Sequence, residues 1–442
     1  MNLTPKEIVA VLDEYVIGQN EAKKAIAIAL RNRIRRLKLA KELQDEIVPK
    51  NILLIGPTGV GKTEIARRLA KKFALPFVKV EASKYTEVGF VGRDVESMVR
   101  DLALAAFNLV KKEHKDKISS QIEERAIEKI AKKLLPEPPQ GTSEEKKEEY
   151  KKALEKMKQR VASGAADELK IEAEVPKNQS DGFDGGAAIE VIKLQESFSK
   201  ILGSFDKKGV TKEMSVKDAK QIFIAEAAED LLDNEAIKNE ALERAEQKGI
   251  IFIDEIDKIA VASNSQSRQD PSKEGVQRDL LPVIEGSVVN TKLGQINTDH
   301  ILFIGAGAFH VSKPSDLIPE LQGRFPLRVE MSSLDEKALY DILTKPKNSL
   351  LRQYIALLGT EGVEIEFDEG AITAMSKLAQ RANEKTEDIG ARRLHTVIEK
   401  VMEDISFEAD ASSGNKITIT ADDVTNKLST LVEDVDHARY IL

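Results

Sequence analysis

Five short runs of apolar, β-forming residues recur along the chain, at 52–55, 77–80, 250–254, 301–304 and 327–329, and stretches with apolar residues at helical spacing separate several of them. Strands alternating with helices predict a parallel sheet covered on both faces. The spacing is uneven. The second and third runs stand about 170 residues apart, far more than one crossover connection needs. An inserted domain is the economical explanation, and it should open near 108–111, after the helix-like stretch 95–109. The pattern therefore predicts a discontinuous sheet domain from 1–109 and 245–331, an inserted domain from 110–244, and a smaller C-terminal domain from 332–442.

Within the insert, 111–133 is charged and helical in pattern, and the proline-rich stretch 135–141 ends it. Residues 143–160 are dense in Glu and Lys, as in a solvated or coiled helix. Residues 176–186 are polar with clustered glycines, a composition expected to stay mobile. Helical periodicity returns at 216–246, so the insert is expected to be helical, extended and partly disordered. Beyond Met331 the pattern gives helices over 334–358, 369–381, 391–406 and 421–431, with short β segments at 363–367 and 416–419.

Chemistry enters at the end of the first run. Gly56 to Thr63 reads G-x-x-x-x-G-K-T, a complete phosphate-binding loop between a strand-like run and a helix-like run, 65–73. Glycines let the backbone turn tightly, so that several N–H groups aim at one anion, and the helix N-terminus adds about half a positive charge there. In such a loop Lys62 reaches the β and γ phosphates and Thr63 ligates Mg²⁺. A glycine-rich turn that binds nothing would not be framed by a strand and a helix in this way.

The third run, Ile250-Ile251-Phe252-Ile253, ends in Asp254 and Glu255. A buried parallel strand would deliver both carboxylates to its C-terminal edge, where ligands of open α/β sheets bind. Mg²⁺ prefers oxygen ligands and keeps several waters, so Asp254 is assigned to the metal, partly through water. Glu255 is assigned to the water that attacks the γ-phosphate. The competing reading, a strand end flanked by solvated acids, loses force beside a phosphate loop.

Composition narrows the class. There is no cysteine, which excludes disulfides and thiolate metal sites. The five histidines are scattered, with no H-E-x-x-H pattern, and no G-x-S-x-G nucleophile elbow exists, so no centre for peptide cleavage is evident. No apolar run approaches the ~20 residues that span a bilayer, and no signal segment opens the chain, so a cytosolic location is expected. The net charge is −8, from 67 basic and 75 acidic residues, whereas a nucleic-acid motor usually carries a basic face. The two basic stretches, 31–41 and 151–160, read as a solvated helix face and as a salt-bridged helix.

Asp254-Glu255-Ile256-Asp257-Lys258, together with the phosphate loop, resembles the AAA+ ATPases. Ile17-Gly18-Gln19, the segment 274–281 (Glu-Gly-Val-Gln-Arg-Asp-Leu-Leu), Glu320-Leu321-Gln322-Gly323-Arg324 and Gly390-Ala391-Arg392 narrow the resemblance to the Clp/Hsp100 unfoldases. The large helical insert is the feature of the HslU (ClpY) branch of that family. The related ClpX branch carries a cysteine-rich zinc domain, for which this chain has neither cysteines nor room before Ile17. The likeness covers nearly all of the chain and is weakest across the insert.

The resemblance implies an α/β fold: an AAA+ P-loop NTPase core with a parallel five-stranded sheet, a large mainly helical inserted domain and a small, mostly helical C-terminal domain. It implies ATP and Mg²⁺ as ligands, bound between large and small domains at a subunit boundary of a homo-hexamer. Val16 and Ile17 would face adenine, and Gly59, Val60, Gly61, Lys62, Thr63 and Glu64 the phosphates. Arg392 would contact nucleotide from the small domain. Arg324 would be the arginine finger given to a neighbour's γ-phosphate, with Glu320 at the same boundary, making Glu255, Arg324 and Lys62 the catalytic set. Gly89-Phe90-Val91-Gly92 resembles the pore loop that grips unfolded protein, and the tail Arg439-Tyr440-Ile441-Leu442 would dock on an HslV-type peptidase. One departure is that the run 301–304 continues into Gly305-Ala306-Gly307-Ala308, with no polar sensor side chain, so that role is unassigned.

The implied activity is ATP-driven unfolding and translocation of protein substrates into a separate peptidase. A ClpX-like unfoldase, a nucleic-acid remodelling motor such as a branch-migration ATPase, and a nucleotide-gated scaffold share parts of these motifs. The motor should carry a DNA-facing basic element; the scaffold has no use for Glu255 and Arg324, which serve hydrolysis.

Overall fold

The computed structural model describes residues 3–86, 93–136, 138–139, 143–175, 210–261 and 271–433. Its strands are β1 Ile52–Ile55, β2 Phe77–Glu81, β3 Lys170–Val175, β4 Val210–Ser215, β5 Ile250–Asp254, β6 Val288–Thr291, β7 Gly294–Asn297, β8 Leu302–Gly307, β9 Leu327–Glu330, β10 Glu364–Phe367 and β11 Lys416–Ile419. Five of them form the main sheet, in the order β2-β5-β8-β1-β9. Every pairing in it is parallel. Residues of β5 and β8 are buried on both faces, as in sheets covered by helices on two sides. Phe252 and Phe303, fully buried, each contribute on the order of 2–3 kcal/mol of apolar burial.

Parallel strands bring their C-terminal ends to one edge. That edge carries the turn after Ile55, Asp254 at the end of β5 and Gly307 at the end of β8. The register sets Ile52 against Ile304 and Glu81 against Asp254. The helix Lys62–Lys72 packs Ile65, Ala66, Leu69 and Ala70 into the core at helical spacing, with Glu64 in its first turn and Lys71 and Lys72 in its last. That charge order suits the helix dipole.

The described chain divides into two compact units, one of Lys111–Ile237 and one holding everything before and after it. In the first, helices Ser119–Leu134, Glu144–Ala162 and Val216–Leu231 accompany the antiparallel pair β3–β4. Ile122, Ala126, Ile130, Ala173, Ala219 and Phe223 are buried there. This antiparallel pair adds strands to an insert expected to be mainly helical. Its first strand, Lys170-Ile171-Glu172-Ala173-Glu174-Val175, alternates polar with apolar residues at the strand period. The stretch 176–186, expected to be mobile, lies outside the described residues.

The other unit contains the main sheet and a second buried cluster built from helices Glu336–Thr344, Leu350–Gly359, Glu369–Lys385, Arg392–Phe407 and Ala421–Glu433 around the parallel pair β10–β11. Leu339, Leu343, Met375, Ala379, Leu394, Val397 and Ile398 form its centre. A further hairpin, β6–β7, precedes β8. It was not expected from the pattern, because Gly294 and Asn297 dilute its β signal.

The basic stretch 31–41 corrects an expectation. It is not a wholly solvated face: Arg33 and Arg36 of the helix Asn20–Arg36 are buried. Arg33 donates to the carbonyls of Gly249 and His300, and Arg36 to the carbonyl of Gln44 and the side-chain oxygen of Gln247. Burial, reinforced by Arg36, pulls the Arg33 pKa down to about 9. These two cations tie the helix Asn20–Arg36 to the approaches to β5 and β8.

Candidate active site

The phosphate-type loop leaves β1 through Gly56 and enters the helix Lys62–Lys72 through Gly61, with φ of +75° at Gly59 and +100° at Gly61. Only glycine adopts such angles without strain. A side chain at Gly59 would also run into the Ile389 carbonyl, and one at Gly390 (φ +57°) would come within 2.7 Å of the Thr58 carbonyl oxygen. Two glycines thus let the loop and the segment 389–391 meet backbone to backbone. The amide of Ala391 closes the contact by donating to the Gly59 carbonyl at 3.1 Å.

This contact borders a cleft of 1390 Å³ whose lining includes Val16, Ile17, Asp254, Glu255 and Arg392 as well as all of Gly59–Glu64. Lys62 is 9% exposed and donates to the carbonyls of Gly56 and, at 2.7 Å, Pro57. Burial lowers its pKa, the fields of Asp254 and Asp257 oppose that shift, and Arg392 adds to it. The Thr63 hydroxyl stands 3.4 Å from Asp254 Oδ2. Asp254 also accepts from the Glu255 amide at 3.1 Å and pairs with Lys79 at 2.9 Å. Glu255 has φ +56°, a left-handed conformation that costs a β-carbon-bearing residue roughly 1–2 kcal/mol. Its carboxylate takes the Ser83 hydroxyl at 3.2 Å and Lys258 at 2.8 Å.

At the apolar end of the cleft, Val16 is buried against Gly61, with Ile17, Leu334 and Ile342 nearby in the lining. The Val16 carbonyl is held by the buried ammonium of Lys23 at 2.6 Å, which also pairs with Asp13. Gln19 exchanges hydrogen bonds with the backbone of Ser332, fixing the Ile17-Gly18-Gln19 turn to the strand exit of β9.

Not every expected residue joins this cleft. Glu64 lines it, but its carboxylate is taken by Arg67 and Arg68, which leaves its backbone amide for a ligand. Glu320 and Arg324 lie in the short helix Pro319–Arg324 and are exposed outside the lining. Arg324 pairs with Glu285 at 2.8 Å. Gly89, Phe90, Val91 and Gly92, and the tail Arg439–Leu442, lie outside the described residues.

Sequence reading missed Asp257, Ser83 and Lys79. Asp257 occupies the space a side chain would take at Gly307: a β-carbon there would lie 2.8 Å from Asp257 Oδ1 and 2.7 Å from the Phe309 ring. Asp257 Oδ2 accepts from the Phe309 amide at 3.2 Å. Its signal was present as the third acid of Asp254-Glu255-Ile256-Asp257. No sequence pattern announces Ser83 or Lys79, which reach the site because β2 neighbours β5.

A phosphate loop, a strand ending in two carboxylates at the same sheet edge, and a helical C-terminal cluster touching that loop define an AAA-type ATPase. Residues 52–146 match the family model described as ATPase family associated with various cellular activities (AAA), and residues 128–328 match the AAA domain (Cdc48 subfamily). The chain is 64% identical over 442 residues to the ATP-dependent protease ATPase subunit HslU of Campylobacter jejuni subsp. jejuni (strain 81-176), covering 100% of each chain. It is also 64% identical over 442 residues to the protein of that name from Helicobacter pylori (strain G27), covering 100% of this chain and 99% of that one. The chain belongs to the HslU family of ATP-dependent protease ATPase subunits.

Proposed function

We propose that this ATPase unfolds protein substrates and threads them into a separate HslV-type peptidase, acting as a homo-hexameric ring. The observation that carries the reading is the backbone contact between the phosphate loop and the segment 389–391, which couples nucleotide occupancy to the helical C-terminal cluster. A nucleotide-dependent change at that contact gives hydrolysis a mechanical output.

In this reading Val16 and Ile17 receive the base, and the amides of Gly59–Glu64 with Lys62 the phosphates. Arg392 approaches from the C-terminal cluster, and Glu255 orients the attacking water. Mg²⁺ fits the donor set, since the Thr63 hydroxyl and the Asp254 carboxylate face one another, with phosphate and water completing an oxygen shell. When bound, Mg²⁺ would offset charge on the phosphate oxygens. Arg324, exposed and outside its own cleft, is available to a neighbouring subunit, with Glu320 beside it. The chain then works in three parts: 1–109 with 245–331 for nucleotide, 110–244 as an insert, and 332–442 as the moving small domain. Phe90 and its flanking residues grip substrate, and the tail 439–442 docks on the peptidase.

The buried, carbonyl-bonded Arg33 and Arg36 weigh against the nucleic-acid motor, because they remove two cations from its most basic stretch. The test is ATP turnover in the presence of an unfolded protein, of DNA, and of an HslV-type peptidase, with degradation of a folded reporter followed in parallel. Stimulation by protein and ATP-dependent degradation are expected. Stimulation by DNA alone, or degradation indifferent to ATP, overturns the proposal.

A further inference from the structure

We propose that Lys79 is a resident counter-cation of the metal-binding carboxylate, one that a nucleotide-bound divalent cation must displace, so that this lysine sets how much Mg²⁺ the site requires. The inference rests on reading the cleft as a Mg²⁺–nucleotide site.

Lys79 lies in β2, alongside β5, in a register that sets it across from Phe252 and sets Glu81 across from Asp254. From there its ammonium reaches Asp254 Oδ2 at 2.9 Å. The same oxygen faces the Thr63 hydroxyl at 3.4 Å. The other oxygen accepts from the Glu255 amide. A single carboxylate oxygen therefore serves the ammonium and points at the hydroxyl that would share the metal. A hydrated dication and an ammonium cannot crowd one oxygen without repelling each other.

The neighbouring charges have other partners. Glu81 pairs with Lys84 at 3.0 Å and Glu255 with Lys258 at 2.8 Å. Lys62 is turned onto the loop carbonyls. Lys79 is 37% exposed and Asp254 only 17%, so the flexible lysine stem is the member free to swing aside. Without a metal the ion pair offsets a half-buried carboxylate, and with one it is an obstacle.

The test titrates Mg²⁺ against binding of a fluorescent ADP analogue to the full chain and to its Lys79→Met, Lys79→Gln and Lys79→Arg variants. Thermal denaturation confirms that each variant folds, and Lys79→Gln serves if Lys79→Met does not. The Mg²⁺ midpoint should fall about two- to fivefold in the neutral variants, the span of a partly exposed ion pair, and return to the wild-type value in Lys79→Arg. An unchanged midpoint, or one that rises in the neutral variants, overturns the role of Lys79. If the wild-type chain binds nucleotide without any Mg²⁺ dependence, the underlying reading fails and takes this inference with it.

Discussion

Lys62 shows how one residue's environment sets its chemistry. Its ammonium is withdrawn from water and held by the Gly56 and Pro57 carbonyls. Burial lowers its pKa from the ordinary 10.5. A triphosphate would favour the charged form, so the bound-state pKa lies higher than the free-state one. Nucleotide affinity should be greatest below the lowered free-state value and should fall as pH rises through it. Titration of a fluorescent nucleotide across the alkaline range measures this, and an affinity independent of pH there would mean that Lys62 takes no part in holding phosphate. Glu255 stores the opposite kind of information: its left-handed backbone is strain at the residue proposed to direct water.

Among elements, the meeting of the phosphate loop with the segment 389–391 depends on Gly59 and Gly390 lacking side chains. Gly390→Ala would press a methyl group within 2.8 Å of the Gly59 carbonyl oxygen and impose φ +57° on a residue that resists it. The loop and the segment must then part. Nucleotide affinity is expected to drop about tenfold, with roughly 1–2 kcal/mol of stability lost to the strained backbone. Isothermal binding and denaturant unfolding separate the two effects, and unaltered affinity would deny the contact any role in the site. This contact also marks the limit of what sequence made legible. Apolar runs gave the positions of all five sheet strands, and Lys62, Thr63, Asp254, Glu255 and Arg392 line one cleft. The strand at 301–304 proved longer, ending at Gly307, because Gly305 and Gly307 carry no β signal, yet Gly305 pairs with both β1 and β5 and Gly307 pairs with β1. The antiparallel pairs β3–β4 and β6–β7 escaped notice because their polar-rich alternation, with a glycine in β7, is weak beside the apolar core strands. Arg33 and Arg36 escaped for a related reason: a basic run looks solvated until a tertiary fold supplies buried carbonyls.

For the whole molecule the question is whether one chain contains a complete machine. Phe90→Ala should keep ATP hydrolysis and lose translocation, followed by degradation of a folded reporter, and normal degradation by that variant removes the gripping role. Deleting 439–442 should leave the assembly intact, as seen by its mass, while abolishing peptidase activation. Arg324 supplies the sharpest case. It is exposed, paired with Glu285 on the surface and outside the cleft of its own chain. An exposed pair of this kind contributes at most about 1 kcal/mol, so Arg324→Ala should fold normally and bind nucleotide normally. Its hydrolysis should nonetheless fall by about three orders of magnitude if the guanidinium completes a neighbour's site. Chains altered at Lys62 lose their own site but still offer Arg324 to the next subunit, and chains altered at Arg324 offer an intact site that lacks only a donor. Mixed in one ring, the second kind of chain should regain turnover wherever it receives Arg324 from the first. Mixtures that co-assemble by mass yet stay inactive at every ratio would show that the arginine works within its own chain or not at all.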